Sequence, residues 1–307
     1  MPLSPNPYDA LKQASLYVRL FRGKTFVVKV GGEVLADPKL RKALAEQIAL
    51  LWSFSIRVVV VHGGGAELDA ACAALHIPVE KVAGRRVTSP EVLDAAKMVF
   101  AGQVHLDLLA ELQAAGVPAV GLTGLDAGLL KAHQRPPVAV VADGATEAQL
   151  VDFGLVGDID TVDPHVIHHL LEGGFVPVVA PLSGGEGTAI YNTNADTIAA
   201  SLASALQAEK LFFLLSVPGL LKDVAKASSL IPHATLAELA EYEASGSISG
   251  GMRPKLAAVK AALQGGLASA HLVSGSVPDA LLAEVFTNEG SGTMIVPGAK
   301  PLPGVAG

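Results

Sequence analysis

Apolar residues along the chain follow two patterns, and each pattern predicts a different kind of element. Short apolar or β-branched runs bounded by turn residues predict strands, and longer stretches with apolar residues every three or four positions predict helices. The predicted strands are 25–30, 57–61, 119–122, 138–141, 175–180, 210–215, 270–273 and 293–296. The predicted helices are 43–51, 90–115, 194–206, 236–243, 255–263 and 278–286.

The alternation of these elements predicts an α/β fold, a three-layer αβα sandwich with a mainly parallel open sheet. Residues 131–163 depart from the alternation, and their short β-rich pieces predict antiparallel hairpins at an edge or mouth of the sheet. We expect two lobes, residues 24–200 and 201–307, that share one sheet and are compatible with a single structural domain.

Residues 1–23 form a predicted helix that precedes the first strand. Its apolar residues keep the helical spacing up to the last turn, so this face must be covered by other protein. Two partners are open, the helix's own domain and a neighbouring subunit, and we favour a role in oligomerisation.

Composition and charge narrow the class of protein. The chain has 307 residues, 50% of them hydrophobic, and a net charge of −7, so no general basic field attracts nucleic acid or an anionic membrane. The single cysteine, Cys72, excludes an intramolecular disulfide and a cysteine-rich metal site. No targeting segment and no apolar run of membrane-spanning length is evident, so we expect a soluble, cytoplasmic protein. We assign no residue of the chain as a metal ligand.

Three glycine clusters stand at predicted strand ends or helix starts. They are Lys29-Val30-Gly31-Gly32, His62-Gly63-Gly64-Gly65 and Ser249-Gly250-Gly251. Glycines let backbone N–H groups approach an anion closely, although any one cluster is also compatible with a turn that binds nothing. Lysines accompany two of the clusters, and this combination favours a site where a phosphoryl group is transferred.

Asp196 opens a predicted helix and could hold the ammonium groups of Lys29 and Lys255 between the two halves of such a site. Gly23-Lys24-Thr25 resembles the end of a P-loop but precedes a strand instead of a helix, so we reject it.

Five segments together resemble the acetylglutamate kinases, a branch of the amino-acid-kinase family. They are Lys-Val-Gly-Gly at 29–32, His-Gly-Gly-Gly at 62–65, Gly-Arg-Arg-Val-Thr at 84–88, Asn-Thr-Asn-Ala-Asp at 192–196 and Gly-Gly-Met-Arg-Pro-Lys at 250–255. The resemblance covers about residues 8–297. It implies a kinase that moves the γ-phosphoryl group of ATP, with Mg²⁺, to the γ-carboxylate of N-acetylglutamate.

The resemblance also implies roles for individual residues. Lys29 and Lys255 would stabilise the transferring phosphoryl group, and Asp196 would organise both. Arg86 and Asn192 would hold the α-carboxylate of the substrate. The amides of the glycine clusters would bind phosphoryl or carboxylate oxygens, those of Gly64 and Gly65 on the acceptor side and those of Gly31, Gly32, Gly250 and Gly251 on the ATP side.

Because the acceptor is already a carboxylate, no general base is expected. We therefore expect His105 to be a packed or surface residue and His62 to be structural in the glycine turn.

Regulation is a further implication of the resemblance. Arginine-inhibited members of the branch have an added N-terminal helix that links dimers into a hexamer, and they share the ending found here at residues 288–294. We expect arginine to inhibit, with its site near Tyr17, His271, Glu284 and Gly292. The alternative is that the helix only assembles subunits and that the regulatory site has decayed.

Two residues depart from the family pattern, and, independently of them, two other functions stay open. Ser216 and Arg253 differ from the usual residues near the nucleotide. A related kinase acting on an aminoadipate or glutamate derivative carried by an acidic protein would use a basic patch, for which Lys81 and Arg85 are candidates beside Arg86. A non-catalytic arginine sensor would be expected to lack one of the residues Lys29, Asp196 and Lys255.

Overall fold

The structure is a computed structural model that describes residues 8–141, 148–223, 226–244 and 251–298. The strands are β1 Thr25–Val30, β2 Arg57–His62, β3 Lys81–Val82, β4 Arg85–Arg86, β5 Ala119–Thr123, β6 Leu130–Gln134, β7 Val138–Val141, β8 Ala148–Val151, β9 Val156–Val162, β10 Val176–Ala180, β11 Leu182–Gly184, β12 Ile190–Thr193, β13 Lys210–Leu215, β14 His233–Thr235, β15 Ser269–Ser274 and β16 Thr293–Val296. The helices are α1 Asp9–Phe21, α2 Gly32–Ala36, α3 Pro38–Ser53, α4 Gly65–Ala74, α5 Pro90–Met98, α6 Val104–Ala114, α7 His165–Glu172, α8 Ala195–Ala205, α9 Leu236–Ala244, α10 Met252–Gln264 and α11 Ala280–Phe286.

Eight of the described strands form the central sheet, in the order β14-β16-β15-β13-β1-β2-β10-β5. The strands from β15 to β5 run parallel to one another, and β16 pairs antiparallel with β15. Parallel strands are buried on both faces, and the apolar runs of β1, β2 and β13 meet that requirement. The predicted α/β fold with a mainly parallel sheet is confirmed.

Each face of the sheet packs against its own set of helices and forms its own core. Successive residues of a strand point to opposite faces, so Val28 belongs to the core that contains α3, α4 and α6, and Val27 belongs to the core that contains α8 and α10. Lys29 has the same parity as Val27 and therefore lies on the α8 side of the sheet. Lys29 is the only charged residue of β1, and its position on this face allows it to contact α8.

The segment after β5 forms the predicted antiparallel strand pairs and also contributes to a small barrel. β6 pairs with β9 and β7 pairs with β8, both antiparallel. β6 and β9 also close with β11 and β12 into a small four-stranded barrel, which the sequence did not predict. β12 ends beside the start of α8, so the barrel borders the helix that carries Asp196.

Three helical features differ from the predictions. The predicted helix 43–51 extends over Pro38–Ser53, and the short helices α2 and α4 follow glycines of the first two clusters without having been predicted. The predicted continuous helix 90–115 contains a π-helical segment, Val99–Gln103, between α5 and α6.

The predicted boundary between the two lobes, after residue 200, falls inside α8, and the division into lobes stays a prediction.

Helix α1 uses one face to dock on its own domain and leaves another exposed. Phe21 is buried and meets Phe26 edge-on at 5.3 Å between ring centroids, and Tyr17 donates a hydrogen bond of 2.5 Å to Asn288 Oδ1. Leu16 and Leu20 are 63% and 61% exposed. Docking on the helix's own domain, one of the two alternatives, is therefore present, and an apolar strip remains uncovered in the monomer. None of the described helices combines the length and the apolar character needed to cross a membrane.

Candidate active site

A carboxylate at the start of α8 lies between two lysines from different elements. Asn194 caps the helix, because its Oδ1 accepts hydrogen bonds from the backbone amides of Asp196 at 2.7 Å and Thr197 at 3.2 Å. The cap fixes the first turn and with it the position of Asp196, which is 5% exposed. Lys29, on β1, places Nζ 2.7 Å from Oδ1, and Lys255, on α10, places Nζ 3.4 Å from Oδ2.

The two lysines keep Asp196 ionised. Burial alone would raise its pKa, but the charges of Lys29 and Lys255 outweigh burial, and the pKa lies below the ordinary value for aspartate. Lys29 Nζ lies 2.7 Å from Asp196 Oδ1, and because an ammonium carries three N–H groups, this one contact leaves donors for another acceptor. One carboxylate therefore holds two positive charges in place, and the cluster of three carries a net positive charge.

Two cavities meet at this cluster. The first has a volume of about 410 Å³ and has a largely apolar wall beyond the glycines at the end of β1. Its lining comprises Lys29, Gly31, Gly32, Glu33, Val34, Leu214, Leu215, Ser216, Val217, Gly219, Leu220, Leu221, Gly251, Met252 and Lys255. Ser216, which departs from the family pattern, is part of this wall.

The second cavity is larger, about 720 Å³, and more polar. It contains the glycines at the end of β2, Asp196 and several cationic or amide side chains, among them Arg85, Arg86, Arg135 and Asn192. Both cavities share Lys29, Gly251 and Lys255. A ligand in one cavity and a ligand in the other would therefore face each other across the two ammonium groups.

Glycines of all three clusters line these cavities, with one position undescribed. Gly31 and Gly32 line the first cavity, and Gly64 and Gly65 line the second. Gly64 has φ 147° and ψ 27°, and a Cβ built on it would lie 3.0 Å from the ring of Phe100, so a larger residue would be both strained and crowded. Gly250 lies outside the described residues.

The two residues expected to hold an α-carboxylate line the second cavity. Arg86 pairs with Asp69 through Nη1 at 2.5 Å and donates from Nη2 to the carbonyl of Gly65 at 2.8 Å. Asn192 donates from Nδ2 to Thr88 Oγ1 at 3.0 Å. These bonds orient both side chains, and the Arg86 side chain is only 10% exposed, so it is not a solvated surface arginine.

Two polar side chains were not predicted from the sequence, Arg135 in the lining of this cavity and Asp69, which pairs with the lining residue Arg86. Arg135, on the cavity wall, donates to Asp158 through Nε at 3.0 Å and Nη2 at 2.6 Å. Asp69 accepts from Arg86 and from Lys81, and although burial would raise its pKa, these cations lower it. No local pattern marks either residue, because Arg135, just after β6, and Asp69, on α4, meet these partners only in the folded chain.

The residues expected near an arginine site form a second cluster, apart from the glycine loops. Glu284 accepts hydrogen bonds from His271 Nδ1 at 2.7 Å and from the amides of Ser291 at 2.6 Å and Gly292 at 2.9 Å. Burial would raise the pKa of Glu284, but these hydrogen bonds outweigh it and lower the pKa. Burial lowers the pKa of His271, so the pair is a neutral imidazole that donates to a carboxylate.

Lys210 completes this cluster and was not predicted. Its Nζ lies 3.0 Å from His271 Nε2 and 5.2 Å from the ring centroid of Phe21, at the end of α1. Burial lowers the pKa of Lys210 to about 8. The sequence offered one signal for this residue, a single lysine at the start of the apolar strand β13. Through Phe21 and through Tyr17, which bonds to Asn288, α1 borders the same cluster.

The chain belongs to the amino acid kinase family, whose model matches residues 24–274. Within that family it is similar to acetylglutamate kinases. It is 68% identical over 296 residues to the acetylglutamate kinase of Myxococcus xanthus, covering 96% of each chain. It is 41% identical over 287 residues to that of Paracidovorax citrulli, covering 94% of this chain and 95% of the relative.

Solved structures share the fold. N-acetylglutamate synthase from Neisseria gonorrhoeae, complexed with coenzyme A and N-acetylglutamate, superposes with a TM-score of 0.80 at 30% identity. The match covers 96% of this chain, which spans 64% of the synthase chain. Carbamate kinase from Giardia lamblia bound to AMP-PNP superposes with a TM-score of 0.65 at 17% identity, over 90% of this chain and 99% of that chain, a likeness of fold alone.

Proposed function

We propose that this protein transfers the γ-phosphoryl group of ATP to the γ-carboxylate of N-acetylglutamate, a step of arginine biosynthesis. The observation that carries the proposal is the meeting of two cavities at Lys29 and Lys255, both held by Asp196. The names of the relatives, acetylglutamate kinases at 68% and 41% identity, support the choice of substrate.

The linings of the two cavities fit two different ligands. The apolar wall around Val217 and Leu220, beside the glycines at the end of β1, fits a nucleotide whose phosphates point toward the lysines. The second cavity, with Arg86 and Asn192 beside the glycines at the end of β2, fits a small dicarboxylate. The guanidinium of Arg86 is a suitable partner for the α-carboxylate, in competition with Asp69.

The transfer needs little beyond placement and charge. An oxygen of the γ-carboxylate attacks the γ-phosphorus in line, the new C–O–P bond forms, and the bond to the β,γ-bridging oxygen breaks to release ADP. Lys29 and Lys255 neutralise charge on the transferring group, and the amides of Gly64 and Gly65 bind its oxygens at the start of α4. Asp196 stays ionised and keeps both ammonium groups at the junction of the cavities. No base is required, because the acceptor is already an anion at neutral pH.

Mg²⁺ fits the site as a partner of the nucleotide phosphates. Among the described residues no group of three or more histidine, cysteine, aspartate or glutamate side chains could hold a metal ion. Asp196 is turned toward the two lysines. Bound to the phosphates, the ion would supply additional charge neutralisation on the leaving group. The chain's own contribution is to keep Lys29 and Lys255 at the junction of the two cavities.

The proposal is tested by incubating the protein with ATP, Mg²⁺ and N-acetylglutamate and trapping the acyl phosphate with hydroxylamine. We expect hydroxamate that depends on all three components. Glutamate in place of N-acetylglutamate is the matched control, since it lacks the acetyl group. No hydroxamate from a preparation that binds ATP would overturn the proposal.

We also propose that arginine inhibits the reaction by binding at the cluster of Glu284, His271 and Gly292. The guanidinium of arginine is a bidentate partner for a buried carboxylate, and Glu284 offers one that is held ionised. Tyr17 and Phe21 connect this cluster to α1, so a ligand here would also affect how α1 is held.

Replacing Glu284 with glutamine tests the arginine site. We expect the arginine concentration that halves activity to rise at least about tenfold, since the loss of one buried charge-assisted contact is worth roughly 1.5–3 kcal/mol. Activity without arginine should stay within about twofold. Glu172→Gln, an exposed change on α7, is the control and should leave inhibition unaltered. Unchanged inhibition in Glu284→Gln would place arginine elsewhere.

We propose that the uncovered strip of α1 joins subunits, in a hexamer built as a trimer of dimers. Exposed Leu16 and Leu20 lie one helical turn apart, and apolar side chains at this spacing are suited to a helix–helix contact.

The cytoplasmic location of the protein stays a prediction.

Replacing both Leu16 and Leu20 with glutamate should reduce the sedimenting mass from hexamer to dimer, because charges would be buried without partners in the contact. Analytical ultracentrifugation measures the change. Leu75→Glu, at a 53% exposed leucine after α4, serves as the control. An unaltered mass in the double variant would contradict the assignment.

The alternatives have less support in the structure. Lys81 and Arg86 both pair with Asp69, so the basic patch needed for an acidic carrier protein is partly neutralised. A sensor without activity would not need Lys29, Asp196 and Lys255 in contact, and all three are present and in contact.

A further inference from the structure

Two buried histidines stand behind the glycines at the end of β2. His62 is the last residue of β2 and is fully buried, and His105 lies in the first turn of α6 and is 6% exposed. His62 Nε2 and His105 Nδ1 are 2.8 Å apart. Neither histidine is itself a lining residue of the two cavities, and the transfer reaction needs no general base. The pair therefore calls for an explanation other than proton transfer to the substrate.

The hydrogen bonds determine the tautomer of each ring. His62 Nδ1 lies 2.7 Å from the carbonyl oxygen of Gly63, which can only accept, so Nδ1 carries the proton and donates it. A neutral His62 then has a bare Nε2, and His105 must donate from Nδ1. Burial lowers the pKa of His62 to about 3 and also lowers that of His105, so two neutral rings agree with this arrangement. Asp126 is the charged group that acts on His105 and opposes the effect of burial.

The bond from His62 fixes the direction of the next peptide. In a trans peptide the C=O and N–H groups point in opposite directions, so a Gly63 carbonyl held toward His62 turns the N–H of Gly64 away from it. Gly64 and Gly65 begin α4, where the first N–H groups have no acceptor within the helix. These are the amides proposed to bind the transferring group. A glycine loop without such a restraint would have other conformations open to it.

His105 is held in turn by the sheet. Its ring packs on the backbone of β5, where a Cβ at Gly121 would lie 2.2 Å from His105 Nε2. Only glycine leaves room for the ring at that distance. The restraint therefore runs from β5 through His105 and His62 to the Gly63–Gly64 peptide.

We propose that His62 and His105 are positioning residues, which orient the Gly63–Gly64 peptide so that the Gly64 amide faces the transferring phosphoryl group. The inference rests on the proposed phosphoryl transfer. It explains which side chains restrain the glycine loop that binds the transferring group. Neither histidine exchanges a proton with the substrate. Their contribution is made through the glycine peptide alone.

Variants of His105 separate positioning from packing. Asparagine carries an N–H at the same number of bonds from the backbone as His Nδ1, whereas leucine has similar bulk and no donor. In the hydroxamate assay we expect His105→Leu to lower kcat at least about tenfold with a KM for ATP within about twofold, since a displaced oxyanion donor affects mainly the transition state. His105→Asn should keep kcat within about threefold. Leu112→Val, a buried change on the same helix, controls for lost packing and should keep kcat.

Two results would overturn the proposal in a folded protein: His105→Leu with kcat near that of the wild type, or equal losses in the leucine and asparagine variants. A tautomer measurement by NMR on protein labelled with ¹⁵N-histidine tests the pair without any turnover. We expect Nδ1–H on both rings, and an Nε2–H tautomer at His62 would overturn the proposal. Wild-type protein without hydroxamate would instead refute the phosphoryl transfer, so the two failures are distinguishable.

Discussion

We expect Lys29→Met to lower kcat for acyl-phosphate formation by roughly 10²–10³, while both KM values change much less. This is the expectation for removing one preorganised positive group from the place where charge accumulates during the transfer. Methionine keeps much of the length of the stem in a site where Lys29 is 7% exposed, so the surrounding packing changes little. Lys255 would still pair with Asp196, which limits the damage to the fold. The measurement is the initial rate with saturating ATP and N-acetylglutamate, trapped with hydroxylamine.

The control for Lys29→Met is Lys24→Met, just before the start of the same strand. Lys24 pairs with Glu209 at 3.1 Å, its side chain is 51% exposed, and it lies away from both cavities. Its loss should leave kcat within about twofold, because an exposed ion pair contributes little. A folded Lys29→Met protein with kcat within about threefold of the wild type would remove Lys29 from the proposed mechanism.

Asp196→Asn is expected to be the most damaging single change to stability in the site. It leaves two ammonium groups facing a neutral amide in a largely buried cluster, and breaking a buried pair by removing one partner costs about 3–5 kcal/mol. We expect the lower end of that range, since the Lys255 side chain is 26% exposed. Because the pKa of Asp196 is below its ordinary 3.8 in the folded protein, its contribution is complete above that pH and is lost only below it. Urea denaturation near pH 7 therefore measures the whole effect.

Two comparisons make the Asp196 result specific. Glu209→Gln breaks the exposed pair with Lys24 and should cost no more than about 1 kcal/mol. Combining Lys29→Met with Asp196→Asn should cost less than the sum of the single changes, because the double variant buries one ammonium fewer. If Asp196→Asn unfolds with a free energy within about 1 kcal/mol of the wild type, the carboxylate is not the organising charge.

The sequence was sufficient for elements whose periodicity is strong. The strands at 25–30, 210–215 and 293–296 were predicted with the bounds that the structure has. Their apolar runs are set by burial between the helical layers on the two faces of the sheet, a requirement that acts locally and leaves a visible pattern. The same periodicity showed where these elements begin and end, so Lys29 near the end of a strand and Asp196 at the start of a helix could be recognised.

Other features depend on tertiary contacts and leave no local pattern. The π-helical segment Val99–Gln103 is one of these, since its Phe100 packs on Gly64 across the loop. The short helix α2 has only five residues, too few for an amphipathic period to show. Arg135 and Lys210 were missed because each acquires its role from a partner distant in the chain, Asp158 for one and His271 for the other.

Strand β1, near the beginning of the chain, lies between β2 and β13 in the finished sheet, and Lys29 reaches its partners only from there. During synthesis β13 and α10 emerge long after β1, so a nascent chain carries the first glycine loop well before it can hold Asp196 and Lys255 against Lys29. Such non-local pairing is a slow and late event in folding. A chain that has not yet made β13 and α10 therefore lacks a complete site, because neither Lys255 nor the first cavity's wall at residues 214–221 is in place.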